Sequence, residues 1–292
     1  MTRKGLTLFI ALSIIWGLPY FFIKIAVVEV SPTFLVFVRT ALAAVIMLAI
    51  AAKRNSLGKV WKHWPWVALF ALVEMIGPWW LIADAERILD SGLTGLLLAT
   101  VPLFGTIIAR LRGDVSVTSP SRLFGLFIGL LGVFFLVGTD HPTGSITSFA
   151  VIQIILASIG YAIGPVIINT KLRSISTSGV IAVSLAMTAL FYAVPGIIHR
   201  PQELPSLAAM SSILALTLIC TVLAFVIFFA LIEEVGPVKV TLITYFNPVV
   251  ALLLGVWVLT EPLTWGMLVG FPLILLGSYL AARPHRTPTI VE

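Results

Sequence analysis

Glu74, Arg39 and Lys24 are charged residues set inside long apolar runs, and that placement is where chemistry would be expected in this chain. A charge at the depth of a bilayer costs about 2.5–3.5 kcal/mol on insertion scales, so each must face protein or water. Glu74 lies nearest the middle of its run, where reaching an interface is hardest. Its reading is a cavity role: substrate contact, pairing that holds helices together, or proton carriage. Lys24 is a few residues from the end of its run and either snorkels to the interface or enters a cavity. Arg39, about one and a half turns into the next run, either does the same or pairs with a carboxylate.

Aromatic and amide side chains form the second group of candidates. Trp16, Tyr20, Trp79, Trp80, Tyr161, Tyr192 and Tyr245 fall within apolar runs. An indole N–H or phenol O–H at depth needs a partner, so these rings tend toward polar cavities, where they can stack on an amino-acid side chain or an organic cation. Ordinary helix packing is the alternative for each. Trp79-Trp80 follows Gly77-Pro78, where the proline loosens the helix. Prolines 19, 78, 102, 165, 195, 248 and 272 each free a main-chain carbonyl, which is tolerated at depth where it lines a cavity. Asn247-Pro248 joins such a carbonyl to an amide suited to an ammonium or carboxylate. The substrate-binding set expected from sequence is Trp16, Tyr20, Arg39, Glu74, Trp79, Trp80, Tyr161, Tyr245 and Asn247.

No enzyme is expected. His63, His141, His199 and His285 sit in loops or at an end without metal-ligand spacing, and Cys220 stands alone inside a span. Gly-x-Ser-x-Gly, His-Glu-x-x-His and phosphate-binding Gly-rich loops are absent. Neither a cofactor nor a metal is expected.

The elements that must position these residues are transmembrane helices. Apolar residues make up 60% of the 292-residue chain and charged ones 10%, too much apolar surface for a water-facing domain. A bilayer core takes about 20 apolar residues per helix, and ten such runs are predicted near 6–28, 33–51, 65–88, 91–109, 122–138, 148–169, 178–198, 209–231, 237–258 and 264–282. Of the 18 basic residues, 14 fall in one set of alternate loops and ends; Arg87 and Arg200 occupy the other set, and Lys24 and Arg39 lie within spans. Positive loops stay cytoplasmic, so both termini are expected in the cytoplasm, with His199 and Thr143 outside and Ser56 inside. The same charges act as topology signals and lipid anchors, which disfavours a nucleic-acid partner despite the net charge of +6.

The chain also repeats itself. Pro102 and Pro248 match at an offset of 146, and Gly125 with Leu130-Leu131-Gly132 matches Gly270 with Leu275-Leu276-Gly277 at 145. Trp16-Gly17 meets Ile159-Gly160 at 143. Two units, 1–140 and 145–292, follow, each with five spans. An odd number inverts the second relative to the first, and inverted repeats place a transporter's substrate at their interface. Trp16-Gly17 with Pro19 and Lys24, the Pro102 and Pro248 spans, and Glu261-Pro262-Leu263-Thr264 with Gly270 resemble the drug/metabolite transporter superfamily. The resemblance is to two EamA-type domains of the aromatic amino-acid exporter (YddG-like) kind, although Gly113-Asp114 stands where that family often has Gly-Glu. It implies an all-α integral membrane fold, ten transmembrane helices around a central cavity, and export of amino acids or related small metabolites. The expected protein is a monomeric secondary transporter of the bacterial inner membrane, working by alternating access on a small-molecule substrate. An exporter of drugs or quaternary organic cations is the alternative, with Glu74 as its membrane carboxylate.

Overall fold

The computed structural model describes residues 2–114, 119–138, 145–236 and 240–282. Lys239, Arg283, Arg286, His141, Thr143 and His285 lie outside the described residues. Every regular element among the described residues is helical. Eight helical stretches are long and apolar enough to cross a bilayer: 3–26, 32–53, 61–85, 91–111, 120–138, 147–171, 177–198 and 207–235. Two shorter apolar helices, Leu242–Trp257 and Trp265–Ala281, follow.

Several of these stretches are interrupted where the sequence removes a main-chain donor. The first divides into α1 (Arg3–Ile15) and α2 (Leu18–Ala26), parting at Trp16-Gly17 just before Pro19. The second is unbroken, α3 (Pro32–Lys53). In the third, α4 (Trp64–Ala71) runs through a π-helical turn at Leu72–Ile76 into α5 (Gly77–Ala85). The fourth splits into α6 (Ser91–Leu98) and α7 (Val101–Leu111) ahead of Pro102. Then come α8 (Pro120–Gly138), α9 (Ser145–Lys171) and α10 (Thr177–Ile198). The eighth is α11 (Leu207–Thr217), a π-helical turn at Leu218–Leu223, and α12 (Ala224–Val235). A 3-10 turn at Thr241–Tyr245 leads into α13 (Asn247–Trp257), again at a proline, and α14 (Trp265–Ala282) closes the fold. The two π-helical turns begin 146 residues apart, at 72 and 218, and so do the two breaks before Pro102 and Pro248. Pro165, Pro195 and Pro272 lie within unbroken helices.

The tightest packing joins α8 to α14 and α3 to α10. Small residues make the first contact possible: a Cβ on Gly125 would sit 2.8 Å from the Gly277 carbonyl, and one on Gly132 would sit 2.7 Å from the Gly270 carbonyl and the Ile274 amide. Backbone lies directly on backbone there, as small-residue faces allow in membranes. Elsewhere α5 packs on α9, and α11 on α2.

Three helix N-termini are capped by hydroxyls that also reach another span. Thr2 Oγ1 accepts from Gly5 N (3.0 Å) and donates to Glu234 Oε1 (2.6 Å). Ser31 Oγ accepts from Phe34 N (3.2 Å) and donates to the His199 carbonyl (2.8 Å). Ser206 Oγ accepts from Ala209 N (3.2 Å) and donates to Glu29 Oε1 (2.5 Å). A cap satisfies one of the amides that a helix start leaves over; here the same oxygen ties spans together. Thr2, Lys4 and Glu234 meet at one end of the bundle, and Glu29, Ser31, His199 and Ser206 at the other.

Candidate functional site

Arg39 is buried (7% exposed) on α3 and is held by two contacts from other spans. Its guanidinium carbon lies 3.8 Å from the centroid of the Trp79 ring, and its Nε donates to Thr221 Oγ1 at 3.0 Å. The local cause is on α11: the π-helical turn lets the Thr221 hydroxyl donate to the Leu216 carbonyl five residues back (2.8 Å), leaving its lone pairs for Arg39. Such turns occur often at functional sites because they displace a side chain from its helical register. Among the described residues no carboxylate pairs with Arg39. The guanidinium is a fork of donors fixed in orientation by an aromatic face.

Glu74 occupies the matching π-helical turn of the third span, half-buried, with Oε2 lacking any hydrogen-bond partner. Its carboxyl rests against α9 at Gly164, where any side chain would collide with it, and Gly160 one turn earlier receives the Val73 carbonyl and the Pro78 ring. The carbonyl of Ile76, beside Pro78, is taken by the Tyr192 hydroxyl at 2.8 Å, which disposes of one polar group that the irregular turn exposes. Tyr161 on α9 lies within electrostatic reach of Tyr20, Arg39 and Glu74 and close to Trp79. Five of the nine residues expected from sequence therefore converge: Tyr20, Arg39, Glu74, Trp79 and Tyr161.

The other four make different contacts. Trp16 packs among the rings of Phe225 (6.1 Å) and Phe228 (5.1 Å) on α12. Trp80, half-buried, packs against the same apolar cluster as Trp79 and Tyr161. Tyr245, half-buried, ends the 3-10 turn. With its amide assigned so that the nitrogen faces acceptors, Asn247 donates to the Ser13 and Ile243 carbonyls, both 3.1 Å, and so joins the start of α13 to α1. Lys24 donates its ammonium to the carbonyls of Glu86 (2.9 Å) and Leu89 (2.7 Å), across the turn after α5. Thr221, Gly160 and Gly164 were not singled out as site residues. Thr221 carries no local sign of its role, whereas Gly160 and Gly164, four apart on an apolar helix, carry the small-residue spacing that marks a packing face. Among the described residues no three His, Cys, Asp or Glu converge as metal ligands.

The model of the EamA-like transporter family matches this chain twice, over residues 3–138 and 148–283. The chain belongs to the EamA-like transporter family. Relatives of this membrane transporter family include the uncharacterized inner membrane transporter YedA of Escherichia coli K12, 31% identical over 292 residues, covering 97% of this chain and 94% of that one. The uncharacterized transporter YoaV of Bacillus subtilis 168 is 24% identical over 93% of this chain and 94% of its own. A solved crystal structure aligns with a TM-score of 0.66 and 18% identity, over 96% of this chain and 97% of that one, which shows a common fold. Within the EamA-like repeats, the two π-helical turns fall one in each matched segment.

Proposed function

We propose that this EamA-like transporter exports amino acids, aromatic ones among them, or related small metabolites, and that Arg39, Glu74, Tyr20, Trp79 and Tyr161 receive the cargo. The carrying observation is Arg39, a buried guanidinium seated on Trp79 with no carboxylate beside it among the described residues. A buried cation left without an anion is costly, and a cargo carboxylate would complete it in the bidentate manner that Arg favours. Glu74, with one oxygen unpartnered, supplies the complementary site for an ammonium. The rings of Tyr20, Trp79 and Tyr161 supply the wall. Ten spans in two inverted five-helix repeats, 1–140 and 145–292, would rock about this centre in alternating access. The repeated family match, the paired proline breaks and the paired π-helical turns support that arrangement. The 14-to-2 division of basic residues supports cytoplasmic termini, and the relative YedA supports the bacterial inner membrane. The transporter acts as a monomer on a small-molecule substrate.

Counterflow in proteoliposomes with a panel of amino acids, with and without a pH gradient, tests the reading. Arg39→Gln is expected to abolish exchange of carboxylated cargo. Export of quaternary cations, the second reading, would survive Arg39→Gln and fail in Glu74→Gln. If Glu74 instead couples protons, Glu74→Gln keeps exchange and loses the response to the gradient. Unchanged transport in both variants would remove the site.

A further inference from the structure

Glu86 lies immediately after α5 with its side chain fully buried (0% exposed), and neither carboxyl oxygen has a hydrogen-bond partner. The natural counterion is at hand but bound elsewhere. Lys24 donates to the main-chain oxygen of this same residue at 2.9 Å and to that of Leu89 at 2.7 Å, and it makes no ion pair with the carboxyl. A full carboxylate charge attracts an ammonium more strongly than a carbonyl dipole does, and the more so in a low-dielectric interior. An ionised Glu86 would therefore draw the ammonium from the two carbonyls.

The neighbouring charges point the same way. Glu261, on the segment between α13 and α14, accepts from the amides of Ser91 (2.8 Å) and Gly92 (2.9 Å) at the start of α6. That is where an anion is favoured, because free amides and the helix dipole both point at it. Those amides are taken by Glu261, so an ionised Glu86 would have to draw its donor from Lys24. Tyr20 on α2 also senses Glu86. Asp84, on α5 itself, is engaged by Arg87 (3.4 Å) and by the Gln153 amide of α9 (2.8 Å). Beside Glu261, the Ser91 and Thr94 hydroxyls of α6 are buried and unpartnered as well.

We propose that Glu86 is a proton-binding site separate from the Arg39–Glu74 centre, and that Lys24 is the latch it controls. With the carboxyl protonated, the ammonium holds the turn after α5 closed. When the carboxyl O–H bond breaks, the proton leaves to water, the ammonium stays protonated, and it moves from the two carbonyls to the new carboxylate. The turn between α5 and α6, at the end of the bundle carrying Glu261, is thereby released.

The site stands apart from the cargo reading, and its test uses no cargo. Infrared spectra of the full-length protein in lipid should show a protonated carboxyl band that Glu86→Gln removes and Glu74→Gln leaves in place. Hydrogen exchange of segment 85–93, compared with Glu86→Gln at each pH, should accelerate about ten-fold or more as pH rises, as the loss of a charged hydrogen bond implies. Lys24→Met should leave that segment unprotected at every pH. A full band in Glu86→Gln would overturn the proposal, as would identical pH dependence in wild type and variant. Since Gln mimics the protonated acid in shape and charge, failure of Glu86→Gln to fold would also count against it.

Discussion

Arg39 and its two supports make the sharpest residue-scale case. A guanidinium over a desolvated indole is worth up to about 2 kcal/mol, roughly thirty-fold in an equilibrium constant. Arg39→Lys keeps the charge but loses the flat face and the fork, so the Kd for carboxylated cargo should rise by about ten-fold or more, measured by tryptophan quenching or calorimetry. Trp79→Leu should weaken binding similarly, and Trp16→Leu, whose ring packs on Phe225 and Phe228, should have a smaller effect. Glu29 carries a residue-scale pH dependence. The Ser206 amide (2.6 Å) and hydroxyl (2.5 Å) both donate to it, holding its carboxyl below the usual carboxylate range. A group whose pKa is lowered by folding contributes its stabilisation above its unfolded value, near 4, and loses it as pH falls through the folded value. Protection of the amides at the start of α11, measured against their intrinsic exchange rate at each pH, should therefore fall on acidification below that range, and Glu29→Gln should flatten the response.

At the scale of elements, glycine determines which helices meet. On α8 and α14 the contact is backbone against backbone, so Gly132→Ala would force its Cβ against a carbonyl 2.7 Å away. Overpacking of this kind costs about 1–3 kcal/mol, and a lowered midpoint in thermal unfolding should report it. Gly164→Ala acts differently, because the added methyl falls on the Glu74 carboxyl. It should reproduce the transport defect of Glu74→Gln at near-normal stability, since the carboxyl can turn aside where backbone cannot. The π-helical turns of the third and eighth spans hold Glu74 and Thr221. Nothing in a hydropathy pattern marks such a turn: it adds one residue to a helical loop without altering apolar content.

Over the whole molecule, the hydroxyl-mediated ties mark two ends of the bundle, and the proposed cytoplasmic termini predict which end faces which side. Cysteine at Ser56, beside Ser178, should resist a membrane-impermeant thiol reagent in intact cells, while cysteine at His199 should label. The reverse pattern would invert the orientation and turn the proposed direction of transport around.

Hydropathy and charge alone determined that this chain lies in a membrane, where most of its spans run, and that Arg39 and Glu74 stand at depth. Those are local properties, because a helix satisfies its own backbone and enters lipid according to its own apolar content. The prolines, each expected to free a main-chain carbonyl, stand at breaks at 19, 102 and 248, whereas Pro165, Pro195 and Pro272 lie within unbroken helices. Partnership was a different matter. Lys24 finds its carbonyls 62 and 65 residues away, and Arg39 its hydroxyl 182 residues away. Which apolar helix lies against which is settled by shape and by polar groups seeking partners across the fold, and lipid exerts no preference of its own between them. Only the tertiary structure therefore drew Arg39, Trp79 and Tyr161 together, tied Asn247 to α1, and left Glu86 buried beside a lysine that is bound to its main chain and not to its carboxyl.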